Sequence, residues 1–229
     1  MKIRIAALML CCFVVLFAQP VFAEGETAEE FKVIKKAAEL GEPNAQYKLG
    51  LIYEKGGTVV GAHQPTAVLW LSQAAQRGHA MAQEKMGTRY LTGKGVGVDV
   101  KKAEELLLLS GNQGYARGQY RLGQLYNRGA TGVRRSYEKA IDWYTKAAKQ
   151  NYAPAQYYLG GMYAMGKGVE VDRIEAYAWL ALAAKQKYSK AIKSIDGLSN
   201  ALSEMDITKG QGRAKKYYNE YVLKKKDEE

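Results

Sequence analysis

Apolar and small residues recur along this chain at steps of three and four in short runs, and the runs are separated by glycine-bearing links. Ala45, Leu49, Ile52 and Tyr53 fall on one face of a helix turning 100° per residue, and the pattern then returns three more times. Gly50, Gly87, Gly123 and Gly160 stand at intervals of 37, 36 and 37 residues. Each follows Leu49, Met86, Leu122 or Leu159, and each precedes a tyrosine by three places: Tyr53, Tyr90, Tyr126, Tyr163. Gln46, Gln83, Gln119 and Gln156 lie four places upstream. After a second glycine (Gly56, Gly93, Gly129, Gly166), Ala67, Ala103, Ala140 and Ala176 open another helical run, with Trp70, Leu106, Trp143 and Trp179 three residues on. Small pairs end each unit and are followed by Gly78, Gly114, Asn151 and Lys187, a place where Gly or Asn suits a left-handed helix cap.

This periodicity predicts an all-α solenoid of antiparallel helix pairs. A glycine inside a helix costs about 1 kcal/mol relative to alanine, so four in register imply close approach of neighbouring helix backbones. One helix pair cannot bury its apolar face alone, whereas stacked pairs share a core. The units are drawn at residues 44–80, 81–116, 117–153 and 154–191. Residues 24–43 form a preceding half-repeat, in which Thr27 to Glu30 make a capping box ahead of Phe31, Ile34, Ala37 and Ala38. Residues 192–229 supply two capping helices, on the spacing of Ile192, Ile195, Leu198 and Leu202 and then of Ala214, Tyr217, Tyr218 and Tyr221, and a charged tail.

The first 23 residues differ from the rest. Lys2 and Arg4 precede an apolar run from Ile5 to Ala18, and Val21-Phe22-Ala23 resembles a signal-peptidase site, which predicts a secretory leader cleaved between Ala23 and Glu24. The run is shorter than the roughly 20 residues a bilayer span needs, so no stable membrane span is expected after cleavage. Cys11 and Cys12 both lie in this leader, leaving the exported chain without disulfides. Leu10 before Cys11 is unsuited to lipidation. The net charge of +11 would suggest nucleic acid inside a cell, but export directs it toward acidic proteins, anionic head groups or wall polymers.

Little in the sequence suggests catalysis. "LTGKGVGVD" at residues 91–99 resembles a phosphate loop, yet Gly95 stands where Ser or Thr must reach magnesium. Residues 165–172 repeat it as "MGKGVEVD", as expected of a structural turn between helices. Asp99 and Asp172 share one repeat position and read as turn or cap residues. Ser72 or Ser110 with His79 makes no triad, and His63 and His79 form no metal cluster. No catalytic residue, metal or cofactor is expected.

The pattern Ala-Gln-x-x-Leu-Gly-x-x-Tyr-x-x-Gly, a Gly-Val and Asp turn, and Ala-x-x-Trp-x-x-x-Ala-Ala resembles the Sel1-like repeat family, relatives of the tetratricopeptide repeat. The resemblance covers residues 44–191 and is complete at 155–184. Unit two departs at Leu106 and Ser110-Gly111, and unit three lacks the turn aspartate. It implies a protein-binding scaffold. Exported bacterial relatives serve as adaptors in envelope assemblies or as immunity proteins against type VI secretion effectors such as phospholipases. Relatives linked to β-lactams rely on paired cysteines absent from the exported chain.

Positions pointing away from the predicted core on the first helix of each pair mark the expected concave docking face: Tyr47, Leu51 and Glu54; Glu84, Thr88 and Leu91; Tyr120, Gln124 and Asn127; Tyr157, Gly161 and Ala164. Tyrosine suits interfaces, although Tyr47, Tyr120 and Tyr157 would equally pack between neighbouring repeats. Lys48, Lys85 and Arg121 make a basic column beside them, with Tyr158 at the fourth position. The column either attracts an acidic partner or is solvated. The expected function is a periplasmic protein-binding scaffold, toxin neutralisation being its sharpest form; the alternatives are an envelope or wall adaptor and, last, a hydrolase.

Overall fold

The computed structural model describes residues 27–223. The leader, its expected cleavage site at Ala23-Glu24 and the last six residues lie outside the described residues. Eleven α-helices follow one another: α1 (Ala28–Glu39), α2 (Pro43–Lys55), α3 (Gln64–Gln76), α4 (Ala80–Thr92), α5 (Val100–Asn112), α6 (Ala116–Arg128), α7 (Tyr137–Lys149), α8 (Ala153–Met165), α9 (Arg173–Lys185), α10 (Ser189–Ser199) and α11 (Glu204–Tyr218). The last of these runs into a π-helical turn at Asn219–Leu223. Each helix packs on the next as far as α10, so α2/α3, α4/α5, α6/α7 and α8/α9 are stacked hairpins. We call α2, α4, α6, α8 and α10 the A row, and α1, α3, α5, α7 and α9 the B row.

The mid-helix glycines are buried and face the second helix of their own hairpin. A Cβ on Gly50 would lie 2.7 Å from Leu71 Cγ, one on Gly87 2.8 Å from Leu107 Cγ, and one on Gly160 2.9 Å from Leu180 Cγ; at Gly123 it would run into the Tyr144 ring. Close approach was expected, and side chains of the B row make most of it. Ala67, Ala103, Ala140 and Ala176 are fully buried across the same seams.

The glutamine column joins successive hairpins. Gln46, Gln83, Gln119 and Gln156 each donate Nε2 to a carbonyl eight residues upstream, on Ala38, Ala75, Gly111 and Ala148, at 3.0–3.2 Å. Gln113, Gln150 and Gln186 at the ends of B helices in turn donate to the Oε1 of Gln83, Gln119 and Gln156. Buried amides need such partners, which accounts for the fixed glutamine at each repeat; Gln46 Oε1, at the start of the column, is buried without one.

The caps follow the repeat as well. His63, Asp99, Ser136 and Asp172 accept from the backbone N–H three residues on and start α3, α5, α7 and α9. Ser136 thus replaces the aspartate missing from unit three, and His63 takes the same capping place in unit one. The link that resembled a phosphate loop is a turn, whose Lys94 carbonyl accepts from Arg89 Nη1 at 2.8 Å. At the end of α9, Lys187 occupies the left-handed region at φ 61°, where Gly78 and Gly114 stand in earlier repeats. Lys187→Gly removes strain of roughly 1 kcal/mol, and differential scanning calorimetry is expected to show a midpoint about 2–4 °C higher.

The stack ends by a change of sequence. Asp196 occupies in α10 the place of the seam glycine, eight residues after the N-cap Tyr188 as Gly160 follows Tyr152. A carboxylate there denies the next helix its close seat. Accordingly α11 packs on α9 rather than on α10. Tyr217 stacks on Trp179 with centroids 4.8 Å apart, Arg213 pairs with Asp172 at 2.9 Å and Glu175 at 3.0 Å, and Gly210 lets α11 close on Tyr177.

Candidate protein-docking surface

The open side of the A row is tied together from repeat to repeat. Glu54 of α2 receives Lys85 Nζ at 2.7 Å and Arg89 Nη2 at 3.0 Å from α4, with Lys94 Nζ at 3.4 Å. Arg89 is 3% exposed and is also held by Gln64. Burial alone would raise the Glu54 carboxyl, but the Lys85 hydrogen bond and the charges of Lys85 and Arg89 hold it below the ordinary glutamate range. One step on, Glu84 of α4 takes Arg117 Nε at 3.2 Å and Arg121 Nε at 3.4 Å from α6, together with the Thr88 hydroxyl at 3.0 Å.

Beyond α6 the ties become aromatic. Tyr120 sits 5.4 Å from Tyr152 and 5.8 Å from Tyr158, and Tyr157 sits 5.5 Å from Tyr188. Tyr144 stacks under Tyr158 at 5.5 Å, and burial pushes its phenol far above the usual range. At the other end Tyr47 stacks on His79 at 4.5 Å. Desolvation lowers the His79 pKa, which favours the neutral ring whose Nδ1 caps α4.

These contacts correct part of the expected docking face. Glu84, 3% exposed, and Tyr120, 9% exposed, are buried, and Tyr47 and Tyr157 lean on the following repeat. A position turned away from the core of its own hairpin is turned toward the next A helix, because the hairpins stack closely. Lys85 and Arg121 are likewise engaged by Glu54 and Glu84, and only Lys48 of the basic column is exposed. The side chains that receive Tyr47, Tyr120 and Tyr157 were not foreseen in that role from the sequence. His79, Tyr152 and Tyr188, with Tyr115, are the N-caps of α4, α8, α10 and α6. Their in-register recurrence just upstream of every A helix after α2 was the available signal.

Other predicted residues do converge. Thr88, Leu91 and Gln124 line a depression of ≈ 270 Å³ between α4 and α6, with Arg121 and Arg128 beside them. Asn127 and Tyr157 line a second, of ≈ 360 Å³, between α6, α8 and α10. Leu51 and Glu54 are half-buried further along the row and line neither. No acidic residue borders either depression. Among the described residues no group of His, Cys, Asp and Glu is arranged to hold a metal ion, and no helix is long and apolar enough to cross a membrane.

Stacked helix hairpins with a continuous, indented A-row wall define an α-solenoid repeat scaffold. Residues 43–79, 80–115, 116–152 and 153–188 each match the Sel1 repeat, and the chain belongs to that family. It is similar to a crystal structure of a protective antigen of uropathogenic Escherichia coli that displays an SLR fold, at TM-score 0.80 and 27% identity over 87% of this chain and 42% of that one. A Sel1 repeat protein from Oxalobacter formigenes aligns at TM-score 0.71 and 30% identity, covering 83% of this chain and 77% of that one. Among curated relatives, an ERAD-associated E3 ubiquitin-protein ligase component of Arabidopsis thaliana is 34% identical over 52% of this chain. Chitin synthase regulatory factor 3 of Schizosaccharomyces pombe is 33% identical over 52%. The matched segments make up only 18% and 13% of those two proteins.

Proposed function

We propose that this protein is a non-enzymatic, periplasmic scaffold that binds a partner protein along its A-row wall, and that the partner is a secreted toxin which it neutralises. The observation that carries this reading is the wall itself: two depressions that both border α6, edged by Arg128 and Lys167, with no acidic side chain in their linings and with Arg121 held by Glu84. The apolar run before Ala23 supports export. An envelope adaptor would use the same surface; what distinguishes the two is whether the captured partner is a toxin or an assembly component.

The test is affinity capture from periplasm followed by calorimetry with the purified partner. Arg128→Glu together with Thr92→Glu alters two exposed residues at the α4/α6 depression. We expect the double variant to weaken the complex at least about tenfold, or 1.4 kcal/mol, with an unchanged melting midpoint. Full affinity in the variant, or no enriched protein, overturns the reading.

A further inference from the structure

The depression between α6, α8 and α10 exists because two side chains are missing from it. Gly161 and Ala164 of α8 line it. They occupy the repeat positions held by Leu51 and Glu54 in α2, Thr88 and Leu91 in α4, and Gln124 and Asn127 in α6. Gly161 is not the tight seam glycine, which in this helix is its neighbour Gly160. A Cβ built on Gly161 meets only Met165 Cε, at 3.8 Å. No turn or close helix contact therefore calls for glycine at this position, where it weakens a helix. What glycine and alanine leave is an open seat.

The walls of that seat are apolar and aromatic, from Tyr157, Tyr158, Leu180 and Leu198, with Met165 at 59% exposure beside it. Its one charged lining residue is Lys167, and its lining residue Asn127 is followed directly in α6 by the exposed Arg128. A volume of ≈ 360 Å³ falls at the small end of ligand pockets, about 300–1,000 Å³. This is too small for a folded element and suited to one bulky side chain. Interfaces concentrate binding energy at such anchors, and the Lys167 cation, with Arg128 next to Asn127 in sequence and no carboxylate in the lining, favours an acidic segment over a basic one.

We propose that this pocket is the anchor site of the docking surface, taking one large apolar side chain from a segment of the partner protein that is flanked by carboxylates. The proposal rests on the scaffold reading above and deepens it. Two substitutions fill the seat from different positions, Gly161→Leu and Ala164→Phe, and Gly161→Leu is expected to melt no lower than the native chain because it replaces a helix glycine with a good helix former.

The probe is a fluorescein-labelled nonapeptide with one central phenylalanine between two pairs of acidic residues, titrated with the full chain and read by fluorescence anisotropy. Saturable binding is expected, weakened at least about tenfold by either filled variant and by replacing the peptide's phenylalanine with serine, and lost when its acids become lysines. Equal binding by native and filled chains, no preference for the acidic peptide, or no binding at all overturns the anchor. So does native-chain dimerisation in sedimentation that Ala164→Phe abolishes, since the occupant is then a second copy. A captured periplasmic partner that ignores Gly161→Leu and Ala164→Phe but is weakened by Arg128→Glu with Thr92→Glu refutes the anchor and leaves the scaffold standing, whereas failure to retain any partner refutes the scaffold.

Discussion

Replacing Glu54 with Gln is expected to destabilise the protein by about 3 kcal/mol at neutral pH, lowering the thermal midpoint by roughly 6 °C or more. The substitution keeps the shape of the side chain and removes the charge on which Lys85, Arg89 and Lys94 converge. Arg89, only 3% exposed, is then left as a desolvated cation with neutral partners. Losing one member of a buried pair costs far more than losing an exposed one, because the remaining charge keeps its desolvation penalty. The pH dependence is a second check. Since the folded-state pKa of Glu54 is depressed, its contribution is fully present above the unfolded value, near 4.3, and is lost as pH falls through the folded one. Urea titrations of the native chain and Glu54→Gln should therefore differ by a constant amount from neutral pH down to about 4.3, begin to converge below it, and meet once pH falls beneath the depressed folded value; a deficit that does not shrink at all below about pH 4 would show that the carboxylate charge is not the cause.

Gly123→Ala is expected to cost about 1 kcal/mol net, whereas Gly161→Ala in the next A helix gains about 1 kcal/mol. Both changes remove a helix glycine and so gain up to about 1 kcal/mol in propensity. They differ in what the new methyl meets. At Gly123 it collides with the Tyr144 ring, which is completely buried between Tyr120 and Tyr158 and has no free space to swing into; overpacking of this kind costs about 1–3 kcal/mol. At Gly161 the methyl enters the open seat. Chemical denaturation of the two single variants reads the difference directly, and equal effects would mean that the seam glycine is retained for some reason other than close packing.

The repeat register was legible because helix packing imposes it residue by residue. Gly50, Gly87, Gly123 and Gly160 permit the seams, Gln46, Gln83, Gln119 and Gln156 reach carbonyls of the preceding hairpin, and Asp99 and Asp172 cap helices. All of these are contacts within a hairpin or between successive hairpins, so each leaves a mark at a fixed interval. The position of α11 left no such mark. The spacing of Ala214, Tyr217, Tyr218 and Tyr221 predicts a capping helix without saying what it caps, and only the pairing of Tyr217 and Arg213 with Trp179, Asp172 and Glu175 places it against α9.

The docking surface divides in the same manner. Spacing at 100° per residue identified the side of each A helix that faces away from its hairpin partner, and Thr88, Leu91, Gln124, Asn127 and Tyr157 do border the two depressions. It did not distinguish an open side from a side covered by the neighbouring repeat. Glu84 and Tyr120 are covered, and Lys85 and Arg121 are spent on Glu54 and Glu84, because these outcomes depend on how closely one hairpin lies against the next.

The sequence by itself determined the helix pairs, their register and the family, since these follow from local periodicity and from residues that admit only one kind of packing. Which surfaces stay open was decided by the tertiary structure alone. Burial of a side chain between two repeats depends on the distance and rotation between them, and the sum of all the seams sets that geometry; no single residue encodes it.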